Sequence, residues 1–204
     1  MLTLFHASRS RSSGIVWLLE ETGAPYDIRY VDIRRGDGSG LLDEGNLHPH
    51  GKVPVLKNGD EVVFERVAIC HYVAEKFPEA KLAPAHGEKG RGEYLTLLAY
   101  YAGVIEPAFT SKLMKVSPPR GTAGWVAVDE VMPFIEAQLT KQDYIAGNRF
   151  TAADVLYAGA FALFMNSPLM EGHKSMALQD YIARCTSRPA LTRAQAKDNA
   201  PEKS

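Results

Sequence analysis

The chain has 204 residues, 46% of them hydrophobic and 23% charged, which is enough apolar material for one large or two small cores and excludes disorder as the dominant state. Its 23 Lys+Arg and 24 Asp+Glu leave a formal net charge of −1, so no global field exists to hold nucleic acid or an anionic membrane. Two cysteines, Cys70 and Cys185, stand in no CxxC arrangement, no apolar run approaches a membrane span, and the opening MLTLFHASRSRSS reverses the order of a signal peptide, so a cytoplasmic protein is expected.

Residues 2–6 alternate weakly and predict a short strand. The Ser/Arg-rich stretch from Ser8 to Ser13 then leads into IVWLLEETG, a helix with cap candidates at Ser12 and Ser13 and stop signals at Gly23 and Pro25. Tyr26, Ile28 and Tyr30 alternate with Asp27 and Arg29, giving a second strand and a β-α-β order with parallel pairing. Residues 34–46 carry four glycines and several acids and predict a flexible connection with at most a short helix around 41–44. KVPVLKNGDEVVF predicts an antiparallel hairpin around Asn58-Gly59, with a type I′ turn. A helix from Glu65 to Phe77, with Val67, Cys70, Ala74 and Phe77 as its stripe, ends at Pro78.

From about Lys81 strand alternation stops. Tyr94, Leu97, Leu98, Tyr101 and Ile105 form one helical stripe broken near Pro107, and Trp125, Val128, Met132, Ile135 and Leu139 form another. Phe150-Thr151-Ala152-Ala153-Asp154-Val155 combines an N-cap Thr, an acidic N3 residue and apolar residues at N′ and N4, the signature of a capping box with a hydrophobic staple. Further helices are expected at 178–185 and from Pro189, with a polar end from Lys197. The predicted organisation is an α/β domain over residues 1–80 and an all-helical domain over 88–204. Charge is not segregated between them: residues 1–80 hold nine Lys/Arg and twelve Asp/Glu.

The order β-α-β-β-β-α, the Val53-Pro54 pair ahead of a central hairpin, the serine loop after the first strand, Glu65 at the head of a helix and the FTAAD box resemble the cytosolic glutathione transferase family, and the resemblance covers nearly the whole chain. It is similar in particular to serine-type bacterial members, theta-like or beta-like. The resemblance implies a thioredoxin-like N-terminal domain with an all-α C-terminal domain, glutathione as co-substrate without a metal, a cis Val53-Pro54 bond, and a homodimer joining one subunit's N-terminal domain to the other's C-terminal domain. It implies activation of the glutathione thiol by a hydroxyl in the loop: aligning the strand favours Ser8, whereas aligning helix and strand favours Ser10 with Ser12 close by, and Ser10 is preferred. No tyrosine or cysteine stands in this loop to take that part.

By the same resemblance, the backbone of Val53 before Pro54 pairs with the cysteinyl part of glutathione, Lys52 reaches the glycyl carboxylate, and Glu65 meets the α-amino group. Arg66 stands where family members carry Ser or Thr. Its guanidinium either replaces that hydroxyl or points to water. Tyr101, Phe109 and Met114 are candidates for the electrophile pocket, against the plainer reading that such stripes form a bundle core. His48 and His50 flank Pro49, with His6 and His71 elsewhere, and make no chelating set with a cysteine or carboxylate nearby. The expected activity is conjugation of glutathione to a small hydrophobic electrophile. The alternatives are a non-catalytic scaffold on the same fold, or peroxidase or isomerase chemistry on the same site.

Overall fold

The computed structural model describes residues 1–199, which form two compact units: Met1–Ala80 together with the segment from Arg188, and Lys81–Ser187. In the first unit, strand β1 (Leu2–His6) is followed by helix α1 (Ser13–Thr22), strand β2 (Tyr26–Tyr30), the hairpin strands β3 (Val55–Asn58) and β4 (Glu61–Phe64), and helix α2 (Arg66–Lys76). The sheet order is β2-β1-β3-β4, with β1 and β2 parallel and the other pairs antiparallel. This is the thioredoxin-like arrangement expected. Gly23 closes α1 in the left-handed conformation, with φ of 67°.

Several local expectations change. Asn58 pairs with Glu61, so the hairpin loop is Gly59-Asp60. Only Gly59 has a positive φ, at 61°, the pattern of a type II′ turn with glycine first, because a type I′ turn needs positive φ at both positions. Ser12 occupies the N-cap of α1 but makes no cap bond with its side chain. Residues 34–46 contain no helix: carboxylates take the backbone donors instead, Asp32 accepting from Ile33 and Leu41, Asp37 from Ser39 and Asp43 from Gly45.

The last helix, α8 (Pro189–Lys197), packs on α1 and belongs to the first unit, so the segment read as the end of a helical domain over 88–204 divides at Arg188. Glu20 of α1, only 7% exposed, accepts from Tyr26 Oη at 2.7 Å, Lys197 Nζ at 2.6 Å and Arg193 Nε at 2.9 Å. Beside it Glu21 accepts a two-pronged contact from Arg188, both bonds at 2.7 Å. Of the polar end read from Lys197, residues 200–204 lie outside the described residues.

The second unit is helical: α3 (Arg91–Tyr100), a π-helical turn (Tyr101–Ile105), α4 (Glu106–Met114), α5 (Val128–Leu139), α6 (Ala152–Phe164) and α7 (Met176–Thr186). The stripe from Tyr94 to Ile105 does not break at Pro107. The wider π turn absorbs the proline ahead of it, because proline supplies no N–H and crowds the carbonyl four residues back. Trp125 precedes α5 and donates to Ser111 Oγ at 3.1 Å.

The start of α6 is built as its sequence predicts. Asp154 Oδ2 accepts from Thr151 N at 2.7 Å and Thr151 Oγ1 at 2.9 Å, while Oδ1 accepts from Ile145 N at 2.8 Å and Tyr181 Oη at 3.0 Å. One fully buried carboxylate therefore ties the preceding loop, α6 and α7 together; burial pushes its pKa up to about 6, against the pull of its four donors. Phe150 and Val155, the staple pair, are both buried.

Candidate functional site

The register of the sheet gathers the predicted glutathione-binding residues of the first unit at one end. Phe5 pairs with Val55 and Val55 with Phe64. The loop leaving β1, the Val53-Pro54 pair entering β3 and Glu65 leaving β4 consequently lie side by side, although they are far apart in sequence. Val53-Pro54 is cis, as the resemblance implies, and both residues are buried. Lys52 is exposed, and its carbonyl accepts from Asn46 Nδ2 at 2.9 Å, a tether that sequence reasoning did not single out.

Glu65 is exposed and stands before α2 with φ of 70° and ψ of 122°, a conformation that costs a non-glycine residue about 1–3 kcal/mol. Such strain is characteristic of sites where the backbone is held for function, and no feature of the local sequence announces it. Its charge raises the pKa of nearby His48, although burial, the larger effect, sets that imidazole below its ordinary value. Arg66 is the first residue of α2 and half-buried, and its charge acts on Cys70 one turn further on.

The three loop serines separate by depth. Ser8 is half-buried, and its carbonyl accepts from Arg35 Nη2 at 3.1 Å. Ser10 is half-buried; its Oγ lies 2.7 Å from Ser12 Oγ and accepts from Ser12 N at 3.1 Å. Ser12 is fully buried, so in this conformation its hydroxyl meets protein groups rather than a ligand: His6 Nδ1 at 2.7 Å, Ala7 N at 3.2 Å and Ala7 O at 3.3 Å. His6, which stands in the sequence only with His48, His50 and His71 as histidines that make no chelating set, contacts this loop. Its signal was a polar side chain at the end of a strand in which Leu2, Leu4 and Phe5 fill the core. The ring is fully buried, its Nε2 donates to the Asp198 carbonyl at 2.9 Å, and the Asp198 Oδ1 atom lies 3.5 Å away.

The candidates for an electrophile pocket do not come together. Tyr101 and Phe109 are buried in the core of the second unit, Tyr101 edge-on to Tyr157 at 5.1 Å and Phe109 stacked on Phe164 at 5.4 Å, whereas Met114 is 67% exposed. The apolar positions that suggested a pocket are bundle packing. A cavity of about 260 Å³ in the same unit is lined instead by Ser111, Lys112, Val116, Trp125 and Asp129 among others. Among the described residues, no three His, Cys, Asp or Glu side chains are grouped to hold a metal ion, and no helix is long and apolar enough to cross a membrane.

Comparison with known proteins gives the same family at both ends of the chain. The sequence model described as "Glutathione S-transferase, N-terminal domain" matches residues 1–75, and that described as "Glutathione S-transferase, C-terminal domain" matches residues 124–189. Glutathione S-transferase 3 of Zea mays is 31% identical over 169 residues, covering 78% of this chain and 75% of the maize protein. Glutathione S-transferase F10 of Arabidopsis thaliana is 27% identical over 98% of this chain and 99% of its own length. Among solved structures, a glutathione S-transferase from Actinobacillus pleuropneumoniae superposes with a TM-score of 0.78 at 26% identity over 97% of this chain and 93% of its own. A sphingomonad glutathione S-transferase complexed with glutathione gives 0.74 at 27% identity over 96% and 98%. With this fold, this register and these relatives, the chain belongs to the glutathione S-transferase family.

Proposed function

We propose that Ser10 serves the thiol of glutathione bound at the end of the sheet in the first unit, and that the resulting thiolate attacks a small hydrophobic electrophile. The chain is a glutathione S-transferase, so conjugation rather than scaffolding is its activity. The observation that carries the assignment to Ser10 is the division of the loop serines: the Ser12 hydroxyl is closed off in the interior, while that of half-buried Ser10 sits one hydrogen bond further out. In this reading the Val53 backbone pairs with the cysteinyl unit before Pro54, as an added strand does. Glu65 takes the α-amino group, Lys52 the glycyl carboxylate, and the start of α2 with Arg66 the α-carboxylate. The protein is a cytoplasmic homodimer that uses glutathione without a metal.

The test is Ser10→Ala, with Ser8→Ala as control. The ultraviolet absorbance of the bound thiolate, titrated against pH, is expected to have its midpoint about one pH unit higher in the Ser10 variant, about tenfold less thiolate below the midpoint, with glutathione affinity nearly unchanged. An unchanged titration in Ser10→Ala rejects the assignment.

A further inference from the structure

The hydroxyl of Ser10 is the outer end of a continuous hydrogen-bonded chain, Ser10–Ser12–His6–Asp198, which lies within the first unit and ends on the segment after α8. The direction of each proton follows from the partners. The Asp198 carbonyl only accepts, so His6 Nε2 carries a proton, and a neutral imidazole then presents Nδ1 as an acceptor. The Ser12 hydroxyl therefore donates to His6 Nδ1 at 2.7 Å, much closer than the other acceptor within its reach, Ala7 O at 3.3 Å. Its oxygen accepts from Ala7 N and from the Ser10 hydroxyl, which uses its full capacity. Ser10, in turn, has committed its only proton inward. In the resting protein this hydroxyl faces a ligand as an acceptor, the wrong polarity for stabilising a thiolate.

We propose that His6 is a positioning residue that accepts the proton of the glutathione thiol through the hydroxyls of Ser10 and Ser12, and in doing so turns Ser10 into a donor to the thiolate. The inference rests on the assignment of Ser10 made above. The S–H bond breaks as its proton moves to Ser10 Oγ. The proton of Ser10 moves to Ser12 Oγ, and that of Ser12 to His6 Nδ1. The products are a thiolate, two neutral hydroxyls with reversed orientation, and an imidazolium. The Ser10 hydroxyl, carrying the former thiol proton, now points at the sulfur. After the thioether has formed, the imidazolium proton returns outward along the same hydroxyls to solvent.

The surroundings of His6 suit both states. Burial sets its pKa below the ordinary imidazole value, so the resting ring is neutral and able to accept. The groups that face it are the edge of Tyr30 from β2, with ring centres 5.6 Å apart, and Asp198 from the segment after α8. Tyr30 donates its own proton to the Lys197 carbonyl. The Asp198 carboxylate is held in place by Arg9 N, which donates to Oδ2 at 3.0 Å, and it is the counter-charge for an imidazolium that could not otherwise exist in the interior.

The decisive measurement on the parent protein is proton release. When glutathione binds in weakly buffered solution with an indicator dye, thiolate absorbance is expected to appear with no matching proton released, because His6 retains it. One proton released per thiolate overturns the proposal. Two variants supply the second test. His6→Gln keeps a donor for the Asp198 carbonyl and an acceptor for Ser12, and Asp198→Asn keeps an oxygen for Arg9 N, so each preserves the hydrogen bonds while removing the base or its counter-charge.

Both variants are expected to move the acidic limb of kcat/KM to higher pH, with about a tenfold loss of rate on that limb for a displacement of one pH unit and KM for glutathione unchanged. In His6→Gln each thiolate that forms should release one proton. If both variants keep the parent's acidic limb, the proposal is rejected. If Ser10→Ala moves the thiolate titration while these two do not, the assignment of Ser10 stands and the relay alone falls. If Ser10→Ala has no effect, both fall.

Discussion

At the scale of single residues, His6 combines a fully buried ring with polar contacts on both nitrogens. Burial is the larger influence on its charge and lowers its pKa, while Asp198 opposes it. Folding therefore favours the neutral ring. The corresponding stability is present above the ordinary imidazole pKa of about 6.5 and is lost as pH falls through the lowered folded value. Urea unfolding of the unliganded protein across this range is expected to show a steeper loss on acidification in the parent than in His6→Gln. The difference between the two isolates His6 from His48, whose pKa burial also lowers. Parallel curves would mean that the ring does not titrate differently on folding. Glutathione enters the same balance from the other side, because a nearby thiolate makes the charged ring favourable.

At the scale of elements, the contact of α8 with α1 carries a cluster of charge pairs, Glu20 with Arg193 and Lys197 and Glu21 with Arg188. Burial of Glu20 works to raise its pKa, but bonds from Lys197, Tyr26 and Arg193 outweigh it, and the result is a lowered pKa. Glu20→Gln keeps the size and removes the charge. Arg193 and Lys197 are each about half exposed and regain water, so the expected loss is about 1–2 kcal/mol in urea unfolding. Because the folded pKa is lowered, this contribution exists above the ordinary carboxylate pKa of about 4.3 and disappears as pH falls, so parent and variant should converge in acid. A constant difference at all pH values would assign the effect to packing instead. The same helix delivers Asp198 to His6, so its docking and the state of the serine loop are mechanically joined.

At the scale of the whole molecule, the thiol chemistry belongs to the co-substrate. Cys70 and Cys185 are fully buried, and burial pushes the Cys70 thiol up to about 12, with Arg66 only partly opposing it. The native protein is expected to give no reaction with a disulfide-exchange reagent over minutes, and both thiols should titrate after denaturation. Rapid labelling of either in the native state would contradict the burial. A conjugating enzyme with inert thiols of its own keeps the electrophile for glutathione. The homodimer proposed above predicts twice the mass of a 22.4 kDa chain by sedimentation equilibrium.

Features determined by contacts a few residues long were legible in the sequence. The Thr151–Asp154 box, the left-handed Gly23 after α1 and the hairpin around Gly59 each depend on backbone geometry within about four residues, and the predicted positions held even where the turn type did not. The β-α-β order and the cluster of motifs that place the chain in its family were equally readable, because they require only that residues recur at set separations. What the tertiary structure decided depended on partners remote in sequence. Ser8, Ser10 and Ser12 look alike in the chain. Only the pairing of β1 with β3 and the burial of His6 behind the loop separate them by depth. The apolar stripe holding Tyr101 and Phe109 reads the same whether it lines a pocket or fills a core, and packing against Tyr157 and Phe164 made it core. The amphipathic pattern of α8 states that one face is buried but not against which unit; Glu20 and Glu21, more than 160 residues earlier, supplied that answer, because a buried carboxylate needs a cation and the segment from Arg188 brings three.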